Sequence, residues 1–371
     1  MKVLLLTDHM ETGGAETHVA TLAKGLRDRG VDVSVYSSGG RMADKLESVG
    51  IRQIRLFPRR RTPKGLLDAL KALRQTVETE RFDVLHAHAR LPALFLRGCR
   101  KWNGSPSPIV TVHAAFHASP ILCGICYWGE RTIAVSEDLR AHVCDRFHVP
   151  AERVTVIPNG IDCALFSPPP KNASPSPYSV LFASRMDRDC MLGAELLCAI
   201  APELALTFPN LTVTLAGGGE GFGEISNRVQ KINRAFWKGP AAKRRTVSAP
   251  LIHAVGEVTE MPALYRQHQI FVGVSRAAME AAACGCAVVL CGNEGYGGLL
   301  SPHKPLHALS NFCARGEALP TRDALQAELS HLLLSQDLCQ QSGEAGRAWM
   351  LREFDAAQTV ERTLRVYGVT K

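Results

Sequence analysis

One acid, one guanidinium and two glycine-rich turns have the types and placement that chemistry would need. In SRAAMEAAACGCAVV, residues 275–289, Glu280 lies in a short helix of small residues that breaks at Gly285 into a valine-rich run. A carboxylate between one strand's end and the next helix can accept hydrogen bonds from both hydroxyls of a ribose. The same acid in an early helical turn is also stabilised by the helix dipole alone, and both readings stand. In FASRMDRD, Arg185 directly follows a strand, where a guanidinium can fork onto a diphosphate. The first strand runs into DHMETGGAETH, so Gly13 and Gly14 bring backbone amides to a helix start with no side chain to block an oxyanion. LAGGGEGFGE repeats the device with Gly217, Gly218 and Gly219, and GEVTEMPALY adds a short turn whose backbone could meet a flat ring. Neither glycine turn is GxGxxG, and no acid ends the second strand, so a dinucleotide site is disfavoured.

These groups need strands to hold them, and the chain supplies two sets. Strand signals near 2–7, 32–37, 83–87, 109–113, 131–135 and 154–158 alternate with helical ones around 15–29, 64–79 and 137–147. Alternating βα units imply a parallel sheet with helices on both faces. Gly30 ends the first helix, and Ser136 before Glu137 and Asp138 is an N-cap signal. A proline-rich stretch follows, and strands resume at 178–184, 211–216, 250–255, 270–274 and 286–291, with a final amphipathic helix around 341–367. The expected division is residues 1–165, a linker at 166–177, a second domain at 178–355 and a helix end at 356–371. The expected fold is α/β, two doubly wound Rossmann-like domains facing across a cleft, with ligands outside the carboxyl ends of the strands.

Composition limits the class. With 371 residues, 46% hydrophobic and 21% charged, the chain is long enough for two ordinary cores. Its apolar runs are strand-length, far short of a membrane span. The run in MKVLLLTDHMETGG is too short for a signal peptide, and Asp8 and Glu11 follow at once, so a cytoplasmic location is expected. Twelve cysteines in such a chain read as scattered reduced thiols. His113, His117, Cys123 and Cys126 form a nominal zinc set, but their spacing fits no common finger and no metal is expected there. The formal charge of +8 suits an anionic partner. Arg55, Arg59, Arg60, Arg61 and Lys64 precede an amphipathic helix carrying Leu66, Leu67, Leu70 and Leu73. Lys231, Arg234, Lys238, Lys243, Arg244 and Arg245 surround Phe236 and Trp237. Each cluster reads as a solvated face or as a surface that docks peripherally on an anionic membrane. No nucleic-acid recognition module accompanies the charge.

Taken in order, GGAETH, HAHAR, TVHA, AVSEDL, PNGIDCALFSP, SRMD, AGGGEGF and MEAAACGCAVV resemble family 4 retaining glycosyltransferases of the GT-B fold, over about residues 1–355. The wording VGVSRAAMEA is similar to a bacterial branch with a shortened loop. The resemblance implies that Glu280 binds the ribose of a UDP- or GDP-linked sugar and Arg185 neutralises its diphosphate. Gly13 and Gly14 would border the phosphates and acceptor, Gly218 and Gly219 would line the donor, and His113 would contact the transferred sugar. Ser136 and Glu137 would face the cleft, while Asn159, Gly160 and Asp162 would shape the turn into the linker. His86 and His88 are packed or catalytic on this reading.

Three departures from the family pattern bear on activity. The first of its two glutamates, eight positions before Glu280, is replaced by Val272, and the loop between them is missing. The lysine five residues after the arginine is replaced by Cys190, with Arg188 a candidate for the lost charge. GNEGYGG, through Gly295, could take over sugar contacts. The implied reaction is transfer of a sugar, with retention and no required cofactor, to a glycan or lipid-linked acceptor of the cell envelope. The alternatives are a sugar-nucleotide 2-epimerase of the same fold and a homologue that binds without turnover.

Overall fold

The computed structural model describes every residue except 12, 59, 61, 100–105, 107, 171, 305 and 369–371. The chain divides into two compact units, Met1–Gly160 with Ala356–Lys371, and Ile161–Asp355.

The first unit begins β1 (Lys2–Leu6), α1 (Gly14–Arg27), β2 (Asp32–Tyr36), α2 (Arg41–Ser48), β3 (Arg52–Ile54) and α3 (Pro63–Glu80). It continues β4 (Val84–Ala87), α4 (Arg90–Cys99), β5 (Pro108–Val112), α5 (Pro120–Ile125), β6 (Arg131–Ala134), α6 (Glu137–Phe147) and β7 (Val154–Val156). The sheet is parallel in the order β3-β2-β1-β4-β5-β6-β7. Alternation along β1 explains why its sequence is apolar throughout. Val3 and Leu5 enter one core with Val19 and Leu22 of α1, while Leu4 and Leu6 enter another with Leu73 of α3 and Leu96 of α4. A strand covered on both faces needs apolar side chains at both parities.

The second unit runs β8 (Ser176–Ala183), α7 (Leu192–Thr207), β9 (Thr212–Ala216), α8 (Phe222–Phe236), α9 (Pro240–Lys243), β10 (Ile252–Gly256) and α10 (Met261–Arg266). Then come β11 (His268–Gly273), α11 (Ser275–Ala283), β12 (Ala287–Gly292), β13 (Gly295–Leu299), α12 (Leu306–Leu309), α13 (Arg322–Leu334) and α14 (Gln336–Glu353). Its order is β10-β9-β8-β11-β12-β13, with β13 antiparallel at the edge. Val180 and Phe182 of β8 face one core, Leu181 and Ala183 the other.

The terminal helix expected over 341–367 is two helices. The chain breaks at Phe354 and Asp355 before α15 (Ala356–Val366), which belongs to the first unit and lies on α1. A Cβ on Gly25 would sit 2.5 Å from Val360, so glycine lets the two helices close. Arg29 pairs with Glu361 at 2.6 Å.

The division at Gly160 precedes the proline-rich stretch, whose first part is tied down in the second unit. Ile161, Cys163 and Phe166 are buried, and the Arg347 guanidinium donates to the Cys163 and Phe166 carbonyls at 3.1 and 2.6 Å. Gly160 is fixed by packing: a Cβ there would lie 2.7 Å from the Ala356 Cα.

Candidate functional site

In each sheet the chain winds outward in both directions from one strand. Ligands of doubly wound sheets bind at the carboxyl edge where the order reverses. In the second unit that point lies between β8 and β11. Arg185 follows β8, the glycine turn follows β9, and α11 with Glu280 follows β11, so the groups read from sequence gather on three adjacent strands.

Arg185 keeps its side chain 62% exposed, with ion pairs to Asp187 at 3.0 Å and Asp189 at 3.7 Å. Pairs this open are worth little and are easily exchanged for a ligand. Cys190, at the family lysine position, places its Sγ 3.4 Å from the Arg185 Nη2, and burial pushes its thiol up. Arg188 is exposed, and its carbonyl accepts from Asn293.

The glycine turn divides by role. A Cβ on Gly217 would lie 1.7 Å from the Ser184 carbonyl oxygen, and one on Gly219 would lie 2.5 Å from Asp187 Oδ1, both at positive φ. Those two are glycines because the chain crosses itself. Gly218 is different: among the described residues only Glu257 Cβ approaches, at 3.6 Å. Gly218 therefore has open space on the side where Gly217 and Gly219 meet the neighbouring chain. Gly295 lies in the β12–β13 hairpin, where a Cβ would lie 1.9 Å from the Ala314 oxygen. Gly295, expected to contact sugar, also has a packing reason to be glycine, since the Ala314 carbonyl fills the space a side chain would need.

Glu280 is the sixth of nine residues in α11, so the first-turn dipole reading does not apply. It is 8% exposed and held from two sides. Arg276 Nε donates to Oε1 at 2.8 Å, and the Tyr265 hydroxyl to Oε2 at 3.3 Å. Burial pushes the carboxyl above its usual range, with Arg276 opposing. Burial likewise drives the Tyr265 phenol well up, so it is a donor at neutral pH. Each carboxylate oxygen has a further lone pair with which it can accept from a hydroxyl. Arg276 was legible as an i,i+4 partner in RAAME, whereas Tyr265 is brought in by tertiary packing alone. The small residues of this block also have a packing reason: α14 crosses so closely that a Cβ on Gly343 would lie 2.1 Å from the Gly285 oxygen. Val272, at the position of the missing family glutamate, is fully buried within β11.

The reversal point of the first unit lies between β1 and β4. Gly13 and Gly14 open α1 there. A Cβ on Gly13 would meet the Glu16 carboxylate at 2.2 Å, whereas no described residue lies within 4 Å of one on Gly14. His86 lies in β4, His88 follows it, and His113 follows β5. His86 is packed: its ring nitrogens meet Tyr367 Oη and Thr111 Oγ1, each at 2.7 Å. His113 Nε2 lies 3.2 Å from His88 Nδ1, and its ring meets His18 of α1 edge-on at 4.9 Å. Burial drives the His86 imidazole down to about 3 and that of His113 to about 4, and holds His88 well below its ordinary value. These three rings are neutral at pH 7. His18 escaped the sequence reading because its ring joins the others only through the winding of α1.

Several of the remaining sequence candidates have partners within the fold. Ser136 stands at the N-cap of α6, but its hydroxyl bonds Asp138, and Glu137 is exposed and pairs with Arg140 at 3.5 Å. Asp162 Oδ1 accepts from the Ala164 and Leu165 amides, fixing the turn, and Asn159 is buried. His113 does not join His117, Cys123 and Cys126; the Cys123 thiol donates to the Arg146 carbonyl. Arg245 donates to four backbone carbonyls, including Pro209 and Leu211 at 2.7 Å each, so it buttresses the chain. Arg59 and Arg61 lie outside the described residues. Of the four leucines of α3, Leu73 is buried and Leu67 is 59% exposed.

Residues 12–165 match the profile of Glycosyltransferase Family 4, and residues 200–365 match a second profile, Glycosyl transferase-like. The chain belongs to glycosyltransferase family 4. Among curated family relatives, it is 26% identical over 308 residues to a human phosphatidylinositol N-acetylglucosaminyltransferase subunit, covering 75% of this chain and 58% of that protein. It is 28% identical over 235 residues to the phosphatidyl-myo-inositol mannosyltransferase of Mycolicibacterium smegmatis, covering 56% of each. The chain thus spans little more than half the length of these relatives. The fold is GT-B. HepE of Anabaena, solved in complex with UDP, superposes with a TM-score of 0.73 at 17% identity, covering 99% of this chain and 100% of that one.

Proposed function

We propose that the protein transfers a sugar from a UDP- or GDP-linked donor to a glycan or lipid-linked acceptor, with retention of configuration. One observation carries this reading: in a family 4 chain, Arg185, Gly218 and Glu280 follow three adjacent strands that flank the reversal point of one sheet. Glu280, fixed by Arg276 and Tyr265, accepts from the ribose hydroxyls. Arg185 meets the diphosphate as it takes up negative charge on leaving, and the Gly218 backbone lets it approach. Attack and departure on the same face give retention with the departing phosphate as base, so no protein nucleophile is required. His113 orients the transferred sugar by hydrogen bonding as a neutral group. The names of the human and mycobacterial relatives support an acceptor built on a polar lipid. Exposed basic residues beside Leu67 support peripheral docking at the inner face of an anionic membrane. No described helix is long and apolar enough to cross one.

A second reading has a specific observation behind it. Val272 sits inside a strand, so the family loop is truncated rather than altered at one residue, which supports binding without turnover. Incubation with a panel of UDP- and GDP-sugars and a lipid extract separates the readings. Glycosylated product is expected; epimerised donor, or donor binding with no product, contradicts transfer.

A further inference from the structure

Three histidines of the first unit bring their ring nitrogens together at one end of the sheet. His18, His88 and His113 each offer a ring nitrogen, and these atoms lie within 4.8 Å of one another. They come from α1 and from the ends of β4 and β5, neighbouring segments of one sheet edge. We propose that these three imidazoles form a binding site for one borderline divalent transition-metal ion, Zn2+ being the test case.

The geometry suits it. Zinc–nitrogen bonds of 2.0–2.1 Å at a tetrahedral angle separate ligating nitrogens by about 3.3 Å. His88 Nδ1 and His113 Nε2 already stand 3.2 Å apart. His88 is 3% exposed, and its Nε2 has no hydrogen-bond partner among the described residues, so the ring's polar contact is another imidazole alone. Its neighbour His86, ring centroid 4.1 Å away, makes the contrast: both of its nitrogens are satisfied, and it is no ligand. An all-nitrogen set selects zinc, nickel, cobalt or copper over the hard cations calcium and magnesium. Three protein ligands leave a fourth position for water or another small ligand.

Occupancy engages His113, so metal binding inhibits transfer; this consequence, unlike the site, rests on the role given to His113 above. The test uses the full chain, stripped with chelator and then titrated with Zn2+ by calorimetry and with Co2+ by visible absorption. One equivalent is expected, with tetrahedral cobalt bands. His88→Gln, which keeps a polar side chain, should weaken binding by about 100-fold or more, and His18→Asn serves the same purpose if that variant does not fold. His303→Gln, on an exposed residue of the other unit, should change nothing. No stoichiometric binding, or equal binding by His88→Gln or His18→Asn, overturns the site. Binding with undiminished transfer overturns only the inhibition, and because metal is read directly, absence of transfer in every form leaves the site test intact.

Discussion

At the reversal point of the Ile161–Asp355 unit the side chains are ions: Arg185 in solvent, and Glu280 buried against Arg276. At the corresponding point of the first unit they are rings, with His86, His88 and His113 held neutral by burial and no described residue within 4 Å of a Cβ on Gly14. Two sheets with the same winding thus offer opposite electrostatics. A fixed ion pair beside an exposed guanidinium suits a ligand that carries its own charge. Neutral imidazoles suit hydroxyl groups, or a cation that accepts their lone pairs. The fold supplies the place, and the residue types at each strand end decide what is held there.

The largest break in this contrast should come from Glu280→Ala. Removing the acid takes one charge-assisted partner from the buried Arg276, so we expect a stability loss of about 1.5–3 kcal/mol in denaturant titration, together with loss of nucleotide binding. Glu280→Gln separates the two effects by keeping the volume. Arg185→Ala comes next. Its side chain is open to water, so unfolding should change by less than about 0.5 kcal/mol, while UDP or GDP affinity falls about 10- to 100-fold by calorimetry, the worth of a charge-assisted contact. Tyr265→Phe should be milder. It removes one 3.3 Å hydrogen bond to Glu280, and a loss of about 1 kcal/mol in nucleotide affinity is expected. An unchanged affinity would show that Arg276 alone orients the acid.

Acidification sharpens the comparison most gently. The Glu280 carboxyl is raised by burial, so it protonates at higher pH than an exposed glutamate, and nucleotide affinity should begin to fall above the ordinary carboxylate range. Because its folded pKa exceeds the unfolded one, protonation is favoured in the folded state. Protonating this group therefore stabilises the fold, so the fall in affinity is not the first step of an acid unfolding driven by Glu280. Affinity that holds down to the range of an exposed glutamate would place the acid outside the nucleotide contact.

Much of this was legible in the chain. Periodicity marked the strands that carry the site, because strands covered on both faces are apolar at both parities, as β1 and β8 are. Arg185 was found because it follows a strand directly, and Glu280 because it is the one acid in the short helix after the next strand of the site. Legibility failed where distant segments meet. Nothing in GNEGYGG shows that Gly295 is small to admit the Ala314 carbonyl, and nothing near Glu280 announces Tyr265. Gly217, Gly218 and Gly219 look alike in sequence, yet only Gly218 is clear of the neighbouring chain. The break before α15 was hidden because its apolar spacing continues that of α14, although the two helices serve different units.

A solved complex of the full chain with UDP or GDP tests the central claim most directly. We expect the ribose hydroxyls within hydrogen-bonding distance of the Glu280 carboxylate and the diphosphate against Arg185 beside Gly218. A nucleotide bound elsewhere, or one bound there with both side chains turned away, would contradict it.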